Sequence, residues 1–279
     1  MTSNTLSFQS RLPRGHADYC DPSIEALFKR HGLSDFETLW NASARDVDVP
    51  NHERGGVSTV SLLELEGEDG NTRRFFLKRQ TNHLARSLQR PLGEPTFSRE
   101  WRAIRHYHAL GIPTVKAVWY GERKNTISHQ SSPASGWRAI LVTAALENRT
   151  DLDHWHTRWE TLDDNLRSQI IMASAQLTRR IHANGMMHGC LFPKHLFLND
   201  PSNAPSNPMN AVIIDLEKTR RFILERHERL RDLSVLWRRL TQWRESDWRA
   251  FLAAYCDCSP SDAQVDRWLE RLDKRASRR

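Results

Sequence analysis

Three positions and one loop carry residue types that could act on a phosphate ester. Lys78 ends the apolar segment FFLKR, and Glu100 lies in the helical segment that follows it. The loop HGCLFPKH (188–195) comes after a long helical pattern, and Asp215 ends the segment AVIID. Phosphoryl transfer from ATP needs positive charge on the phosphates, a group that orients this charge, and carboxylate-held Mg²⁺. The lysine, the glutamate and the aspartate meet these three needs in chain order.

The loop has the outline His-x-Asp-Leu-x-x-x-Asn, which is typical of a phosphotransferase catalytic loop. Cys190 stands where the aspartate is expected, and His195 stands where the asparagine is expected. A thiol is mostly protonated at neutral pH, and the loss of a general base typically costs about 10²–10⁴ in rate. Charge stabilisation does most of the catalysis in phosphoryl transfer. Slow turnover without the aspartate therefore stays open, as does nucleotide binding without turnover.

The first half of the chain supplies an antiparallel sheet and one helix to position these residues. Alternating, β-branched and aliphatic runs predict strands, and the turn EDGN between the first two is typical of a hairpin. Trp101, Ile104, Tyr107 and Leu110 recur at helical spacing, and Gly111 ends that helix. The predicted strands are 57–67, 73–80, 115–121 and 138–146, and the predicted helix is 95–111.

The second half of the chain is mainly helical. A long amphipathic pattern predicts a helix over 160–184, and two short strands follow at 195–198 and 211–215. From about residue 226 the pattern is helical again. A sheet with one helix followed by a helical part predicts an α+β, bilobal protein, with an N-terminal lobe of residues 1–143 and a C-terminal lobe of residues 144–279.

Charge and composition limit the partners and the compartment. The 279 residues carry a formal net charge of +7, which favours an anionic partner such as a lipid surface, a phosphorylated glycan or nucleic acid. The opening segment MTSNTLSFQSRLPRGH has no apolar core like that of a signal peptide. We therefore expect a cytoplasmic protein.

The ten tryptophans lie mostly in amphipathic helical segments. Core packing explains most of them, and the alternative is a membrane-surface face beside arginines, as in interfacial helices. The positions concerned are Trp101, Trp155, Trp159, Trp237, Trp243, Trp248 and Trp268.

The ordered motifs resemble those of the lipopolysaccharide kinase family, the bacterial heptose and Kdo kinases of the lipopolysaccharide core, and within it the InaA type. The resemblance covers about residues 55–240. It implies a protein-kinase-like fold that uses ATP and Mg²⁺. The carrying segments are FFLKRQ, SREWRAIRHYHALGIPTV, LVTAAL, LTRRIHANGMMHGCLFPKHLFL, VIIDLEKTR and RDLSVL.

In the N-terminal part, the resemblance implies four nucleotide-binding elements. Lys78 would bind the α- and β-phosphates and Glu100 would pair with it. The segment around Thr143 and Ala145 would be the hinge whose backbone reads adenine. The adjacent glycines, Gly55 and Gly56, occupy the place of the glycine-rich loop.

In the C-terminal part, the resemblance implies a catalytic loop with its metal site. Asp215 would hold Mg²⁺, while His195 would either touch the metal weakly or support the loop. Together with Lys78, the catalytic set includes Cys190, at the position of the usual aspartate, and His188, which is expected to pack under the loop and bond its backbone. Asp232 resembles the buried helical aspartate that braces this loop.

The resemblance implies a sugar kinase that phosphorylates a hydroxyl of a lipopolysaccharide core or related anionic glycolipid. It would work at the inner face of the bacterial inner membrane, with peripheral membrane contact. The alternative is a pseudokinase, a nucleotide-binding regulator or scaffold without efficient catalysis because of Cys190. A nucleic-acid partner would rest on net charge alone and is not expected.

Overall fold

The computed structural model describes residues 18–52, 55–87, 90–124, 136–200 and 208–277. The opening segment used in the signal-peptide argument lies outside these residues. Two compact units divide the chain: unit 1 comprises Met1–His106 and Val115–Ala145, and unit 2 comprises Tyr107–Thr114 and Leu146–Arg279. The boundary therefore falls two residues later than the sequence suggests. The segment Tyr107–Thr114, which interrupts unit 1 in the chain, belongs to unit 2.

Unit 1 contains the antiparallel sheet that the alternating patterns predict. Six of its strands run in the order β1-β7-β8-β4-β3-β2, with every neighbouring pair antiparallel, and β5 and β6 form a separate hairpin. The strands are β1 (Tyr19–Cys20), β2 (Arg45–Asp46), β3 (Val57–Glu66), β4 (Thr72–Thr81), β5 (Leu84–Ser87), β6 (Arg90–Pro95), β7 (Ala117–Lys124) and β8 (Trp137–Ala144).

Three helices accompany this sheet: α1 (Pro22–Arg30), α2 (Phe36–Trp40) and α3 (Thr96–Ala109). The core lies where α1 and α2 cover one face of the sheet, and it includes Phe28, Leu39, Phe75 and Leu77. Side chains alternate between the faces of a strand. Since Phe75 and Leu77 of β4 enter this core, Lys78 and Gln80 both lie on the opposite face of the strand.

Unit 2 is mainly helical, with two small antiparallel sheets of order β12-β11-β9 and β10-β13. The helices are α4 (Leu152–Thr157), α5 (Asp164–Ala183), α6 (Glu225–Arg239), α7 (Glu245–Cys256) and α8 (Ala263–Ala276). The strands are β9 (Arg149–Asp151), β10 (Met186–Met187), β11 (Leu196–Asn199), β12 (Ala211–Ile213) and β13 (Arg220–Arg221). These elements confirm the α+β class, and none of the described helices is long and apolar enough to cross a bilayer.

Most of the tryptophans pack inside the units. Six of the seven named positions are buried, which removes them from any membrane-facing surface. Neighbouring rings in unit 2 also contact one another, with centroids of Trp243 and Trp248 5.0 Å apart. The alternative of a tryptophan-lined membrane face is therefore wrong for Trp101, Trp155, Trp159, Trp243, Trp248 and Trp268.

Candidate functional site

In unit 1, a lysine and a glutamate form a close ion pair between the sheet and α3. The Nζ atom of Lys78 on β4 lies 2.6 Å from Oε1 of Glu100 on α3. The glutamate side chain is only 3% exposed and the lysine side chain 19%, so the carboxylate is shielded from water while the lysine side chain keeps some exposure. Phe97 covers it, with the ring centroid 6.0 Å from Nζ. This arrangement holds a positive charge in a fixed position.

Gln80 positions the helix that carries the glutamate. Its Oε1 accepts hydrogen bonds from the hydroxyl of Thr96 and the backbone N–H of Phe97, at 2.9 and 3.0 Å. Its amide nitrogen donates to the carbonyl of His83 at 2.7 Å. The buried side chain thus satisfies orphan donors in the first turn of α3. Sequence reasoning missed Gln80, although its spacing of two residues from Lys78 on a strand was a usable signal.

Gly55 and Gly56 lie in the connection between β2 and β3. They fall within the segment that the antiparallel bridge between Asn51 and Ser58 closes. Gly55 has a φ of 74° and open space around it. A Cβ atom on Gly56 would meet the backbone of Thr81–His83 at 2.3 Å. Close packing is therefore sufficient to explain Gly56, and contact of either glycine with phosphate remains a prediction.

The predicted adenine-reading segment begins inside the sheet. Thr143 is buried on β8, where it pairs with Phe76 on one side and Ala117 on the other. The N–H of Ala145 donates to the carbonyl of Arg74 at 2.9 Å. Because that amide is already engaged, adenine recognition by this segment would have to use other backbone groups. The role of Thr143 and Ala145 stays a prediction.

In unit 2, Asp232 on α6 anchors the backbone of the loop 188–195. Its carboxylate accepts from the N–H groups of His188 and Gly189 at 2.7 and 3.0 Å. His182 on α5 lies 3.3 Å away through Nε2 and bonds Tyr255 through Nδ1. Burial opposes the charge of Asp232, but these hydrogen bonds outweigh it and hold the pKa below its ordinary value. The expected bracing role of Asp232 is confirmed. The helical spacing in the sequence does not by itself identify His182 as its partner.

His188 is fully buried beneath the loop, and its contacts define its tautomer. Nδ1 accepts the N–H of Cys190 at 3.2 Å, so Nε2 must donate to the carbonyl of Ile214 at 3.0 Å. The ring therefore ties the loop to the segment that follows β12. This geometry agrees with the expected supporting role and gives His188 no free nitrogen for proton transfer.

His195 and Asp215 face each other at the end of the loop. Nδ1 of His195 donates to the carbonyl of Cys190 at 2.9 Å, and Nε2 lies 3.3 Å from Oδ2 of Asp215. Burial lowers the pKa of His195 against the opposing effect of Asp215, so the ring is neutral near pH 7. Its Nε2 lone pair thus faces a carboxylate oxygen. In this arrangement the nitrogen and the oxygen would both offer a lone pair to one cation.

These two groups fit one edge of a Mg²⁺ site. Asp215 has a φ of 60° and a ψ of 62° just beyond β12, a left-handed conformation that aspartate tolerates better than most residues. Within the described ranges, no three His, Cys, Asp or Glu side chains cluster as a metal cage. Mg²⁺ usually keeps waters and substrate phosphates among its ligands and needs only one or two carboxylates. Asp215 would therefore hold the ion with help from His195.

The structure places Lys218 beside Cys190, which sequence reasoning missed. The Lys218 ammonium lies against the thiol, and burial raises the pKa of Cys190 despite this cation. Burial works against the charge of Lys218, but its neighbours Cys190, Glu217 and Asp215 outweigh it and raise the pKa of the ammonium. The loop carries glycine at 189, where a Cβ atom would lie 2.8 Å from the Lys218 carbonyl oxygen. A neutral thiol and a positive charge thus occupy the position of the usual aspartate.

Comparison with known proteins decides the family. The sequence model of the "Lipopolysaccharide kinase (Kdo/WaaP) family" matches residues 37–255. These residues include the lysine–glutamate pair, the loop and Asp232. The chain belongs to this family. Family membership indicates a kinase, a phosphotransferase with an alcohol group as acceptor, and confirms the resemblance seen in the sequence.

Individual members of the family are similar to different extents of the chain. Protein InaA of Escherichia coli K12 is 27% identical over 223 residues, which cover 79% of this chain and 95% of InaA. The lipopolysaccharide core heptose(I) kinase WaaP of Pseudomonas aeruginosa is 27% identical over 141 residues, half of each chain. The solved structure "WaaP in complex with acyl carrier protein" superposes with a TM-score of 0.63 at 22% identity, covering 93% of this chain and 99% of that one. This likeness confirms the protein-kinase-like fold.

The carboxylate of Asp232 is expected to stabilise the folded protein, because it accepts hydrogen bonds from the loop backbone. Replacing Asp232 with Asn should lower the free energy of unfolding by about 2–3 kcal/mol at pH 7, since hydrogen bonds to a charged acceptor are lost. The folded-state pKa lies below the unfolded value, so this contribution is present above about pH 4 and disappears as the pH falls through the folded pKa. Urea unfolding at pH 7 and at lower pH measures both effects.

The exposed Asp164, whose side chain is 102% exposed, provides the matched control. Asp164→Asn should leave the free energy of unfolding within about 0.5 kcal/mol of the parent. Equal stability of Asp232→Asn and the parent at pH 7 would contradict the anchoring role.

Proposed function

We propose that the protein transfers the γ-phosphoryl group of ATP to a sugar hydroxyl of a lipopolysaccharide core or related glycolipid, at the cytoplasmic face of the inner membrane. The observation that carries the proposal is the anchored loop of unit 2, which sets Nε2 of His195 against Oδ2 of Asp215 at 3.3 Å. Family membership supplies the reaction class. ATP and Mg²⁺ are the cofactors that this class implies.

The residues of each unit would contribute different parts of the chemistry. Lys78, oriented by Glu100, would neutralise the α- and β-phosphates, and Mg²⁺ held by Asp215 would neutralise charge on the transferred group. Nε2 of His195, 3.3 Å from Oδ2 of Asp215, would offer its lone pair to the same ion. Lys218, beside Cys190 at the loop, would supply a further positive charge.

Cys190 would not act as the general base. Burial raises the pKa of its thiol, so the protonated form dominates at neutral pH and cannot accept the proton of an acceptor hydroxyl. In a loose transition state the acceptor proton leaves late, and charge stabilisation carries most of the rate. We therefore propose a slow kinase in which positively charged groups stabilise the transition state.

A sugar acceptor is supported by the names of the similar proteins, since the WaaP relatives are heptose(I) kinases. The net charge of +7 suits an anionic glycolipid. The second candidate is the pseudokinase, which the raised pKa of Cys190 favours because it removes the base. That protein would bind ATP and Mg²⁺ without transferring phosphate.

Replacing Asp215 with Asn tests the proposal. We expect Mg²⁺-dependent phosphate transfer from labelled ATP to purified lipopolysaccharide core to fall by roughly 10²–10³-fold, as when a group that stabilises transition-state charge is removed. Asp257→Asn is the matched control, because Asp257 has a similar φ of 61° but a side chain 72% exposed at the end of α7. That variant should transfer phosphate at the parent rate.

The outcomes separate the two candidates. Transfer by the parent protein that is lost in Asp215→Asn supports the kinase. ATP- and Mg²⁺-dependent thermal stabilisation without transfer to any core glycolipid supports the pseudokinase. Absence of both would defeat both candidates.

A further inference from the structure

Two large aliphatic side chains stand exposed on a turn before α6. Ile223 is 80% exposed and Leu224 is 68% exposed. Their neighbour Phe222 instead contacts the His182 ring, with centroids 5.6 Å apart. Burial of an apolar side chain is favourable, so a turn that keeps two adjacent aliphatic residues in water suggests a partner.

The turn is held in this conformation by a buried acid. The backbone N–H groups of Ile223 and Leu224 donate to Oε2 of Glu228, at 2.6 and 3.0 Å. Glu228 also pairs with Arg220 on β13. Because the backbone is anchored on both sides, the outward direction of the two side chains is a property of the fold and not of a loose loop.

A basic groove lies next to this turn, between α6 and α8. Four arginines line it together with Glu225 and Trp268. Glu225 is neutralised by Arg229, with 2.6 Å between Oε1 and the guanidinium. Among the described residues, no acidic side chain pairs with the remaining three arginines, which are Arg226, Arg267 and Arg271.

We propose that this turn and these three arginines, together called the basic turn face, dock the protein on an anionic lipid bilayer. The aliphatic side chains would enter the interface between lipids, and the guanidinium groups would contact phosphate headgroups beside them. A bilayer suits an exposed aliphatic pair, because it requires no complementary pocket. The inference rests on the membrane-face location in the proposed function, but it requires neither ATP nor an acceptor.

The test is co-sedimentation of the full chain with vesicles, without nucleotide. We expect the parent to bind vesicles of phosphatidylglycerol and phosphatidylethanolamine, to bind phosphatidylcholine vesicles poorly, and to lose affinity as salt screens the charges. Ile223→Ser/Leu224→Ser should lower the partition coefficient at least roughly tenfold, since two aliphatic side chains no longer enter the interface. Arg226→Gln/Arg267→Gln/Arg271→Gln should lower it by roughly 10–100-fold.

Two further variants control for nonspecific effects. Leu92 on β6 is 91% exposed, so Leu92→Ser removes a similar apolar surface elsewhere and should leave binding unchanged. Ile223→Trp places an interface-seeking side chain on the turn and should bind at least as tightly as the parent. Thermal melting should show that all variants remain folded, because the substituted side chains are exposed except for Arg271, which is half-buried over the Trp268 ring.

Parent-like binding by Ile223→Ser/Leu224→Ser would overturn the inference. Failure of the parent protein to bind anionic vesicles would also overturn it. This includes the case in which the same arginines bind only an acidic protein. Such a failure is separable from failure of the proposed function, because transfer to a detergent-dispersed core glycolipid would persist. Asp215→Asn should conversely keep vesicle binding while losing transfer.

Discussion

Replacing Lys78 with Met is expected to weaken ATP binding by roughly 10–100-fold, which is the loss expected for charge-assisted hydrogen bonds to phosphate. Phosphate transfer should become undetectable, because the same ammonium would stabilise charge in the transition state. Isothermal titration with ATP and Mg²⁺ and the transfer assay measure the two effects. Unchanged ATP affinity in this variant would remove the basis of both the kinase and the pseudokinase.

The buried position of Glu100 complicates the single variant, so a double variant is needed. The side chain of Glu100 is 3% exposed, and removing its ammonium partner is expected to cost about 3–5 kcal/mol of stability. Lys78→Met/Glu100→Gln removes both charges and should recover much of that stability. If this folded variant still fails to bind ATP, the loss of binding follows from the missing cation and not from unfolding.

Replacing Cys190 with Asp is expected to raise the rate of phosphate transfer by about 10²–10⁴-fold, the usual contribution of a positioned general base. The new carboxylate would lie against the Lys218 ammonium, which would stabilise its ionised form. Single-turnover transfer at saturating ATP isolates this effect from binding. A gain would show that the native loop is an impaired form of the kinase loop.

Cys190→Ser is the matched control, since it has nearly the same size and no acidic group. It should transfer at about the parental rate. If Cys190→Asp also remains at that rate, with its melting temperature and ATP affinity intact, the protein does not need a base at this position. Lys218→Met combined with Cys190→Asp should then reveal whether the charge at 218 is what carries the rate.

The elements of the fold could be predicted where their periodicity is long and local. The hairpin of β3 and β4 and the helices α3 and α5 appear within a few residues of their predicted bounds, because alternation and helical spacing are set by neighbouring residues. Short elements were missed. α1, α2 and the β5–β6 hairpin carry too few residues for a pattern, and packing in the sheet core stabilises α1 and α2 instead.

Strand ends were less predictable than strands. Asp215 was expected to end a strand, but β12 ends at Ile213 and the aspartate adopts a left-handed conformation beyond it. His195 was expected to begin a strand, but it closes a short 3₁₀ turn that starts at Pro193. Both positions are linked through Ile214, whose N–H bonds the His195 carbonyl and whose carbonyl accepts from His188; such contacts between separate segments leave no local pattern in the sequence.

The sequence by itself determined the family, the α+β class and the residue types at the lysine, glutamate, loop and aspartate positions, because these depend on local pattern and chain order. Only the tertiary structure decided which groups meet. It placed Lys218 against Cys190, engaged the Ala145 amide and exposed Ile223 and Leu224 while burying most of the tryptophans. The physical reason is that protonation, hydrogen-bond partners and exposure depend on atoms brought together from distant parts of the chain, which no local spacing records.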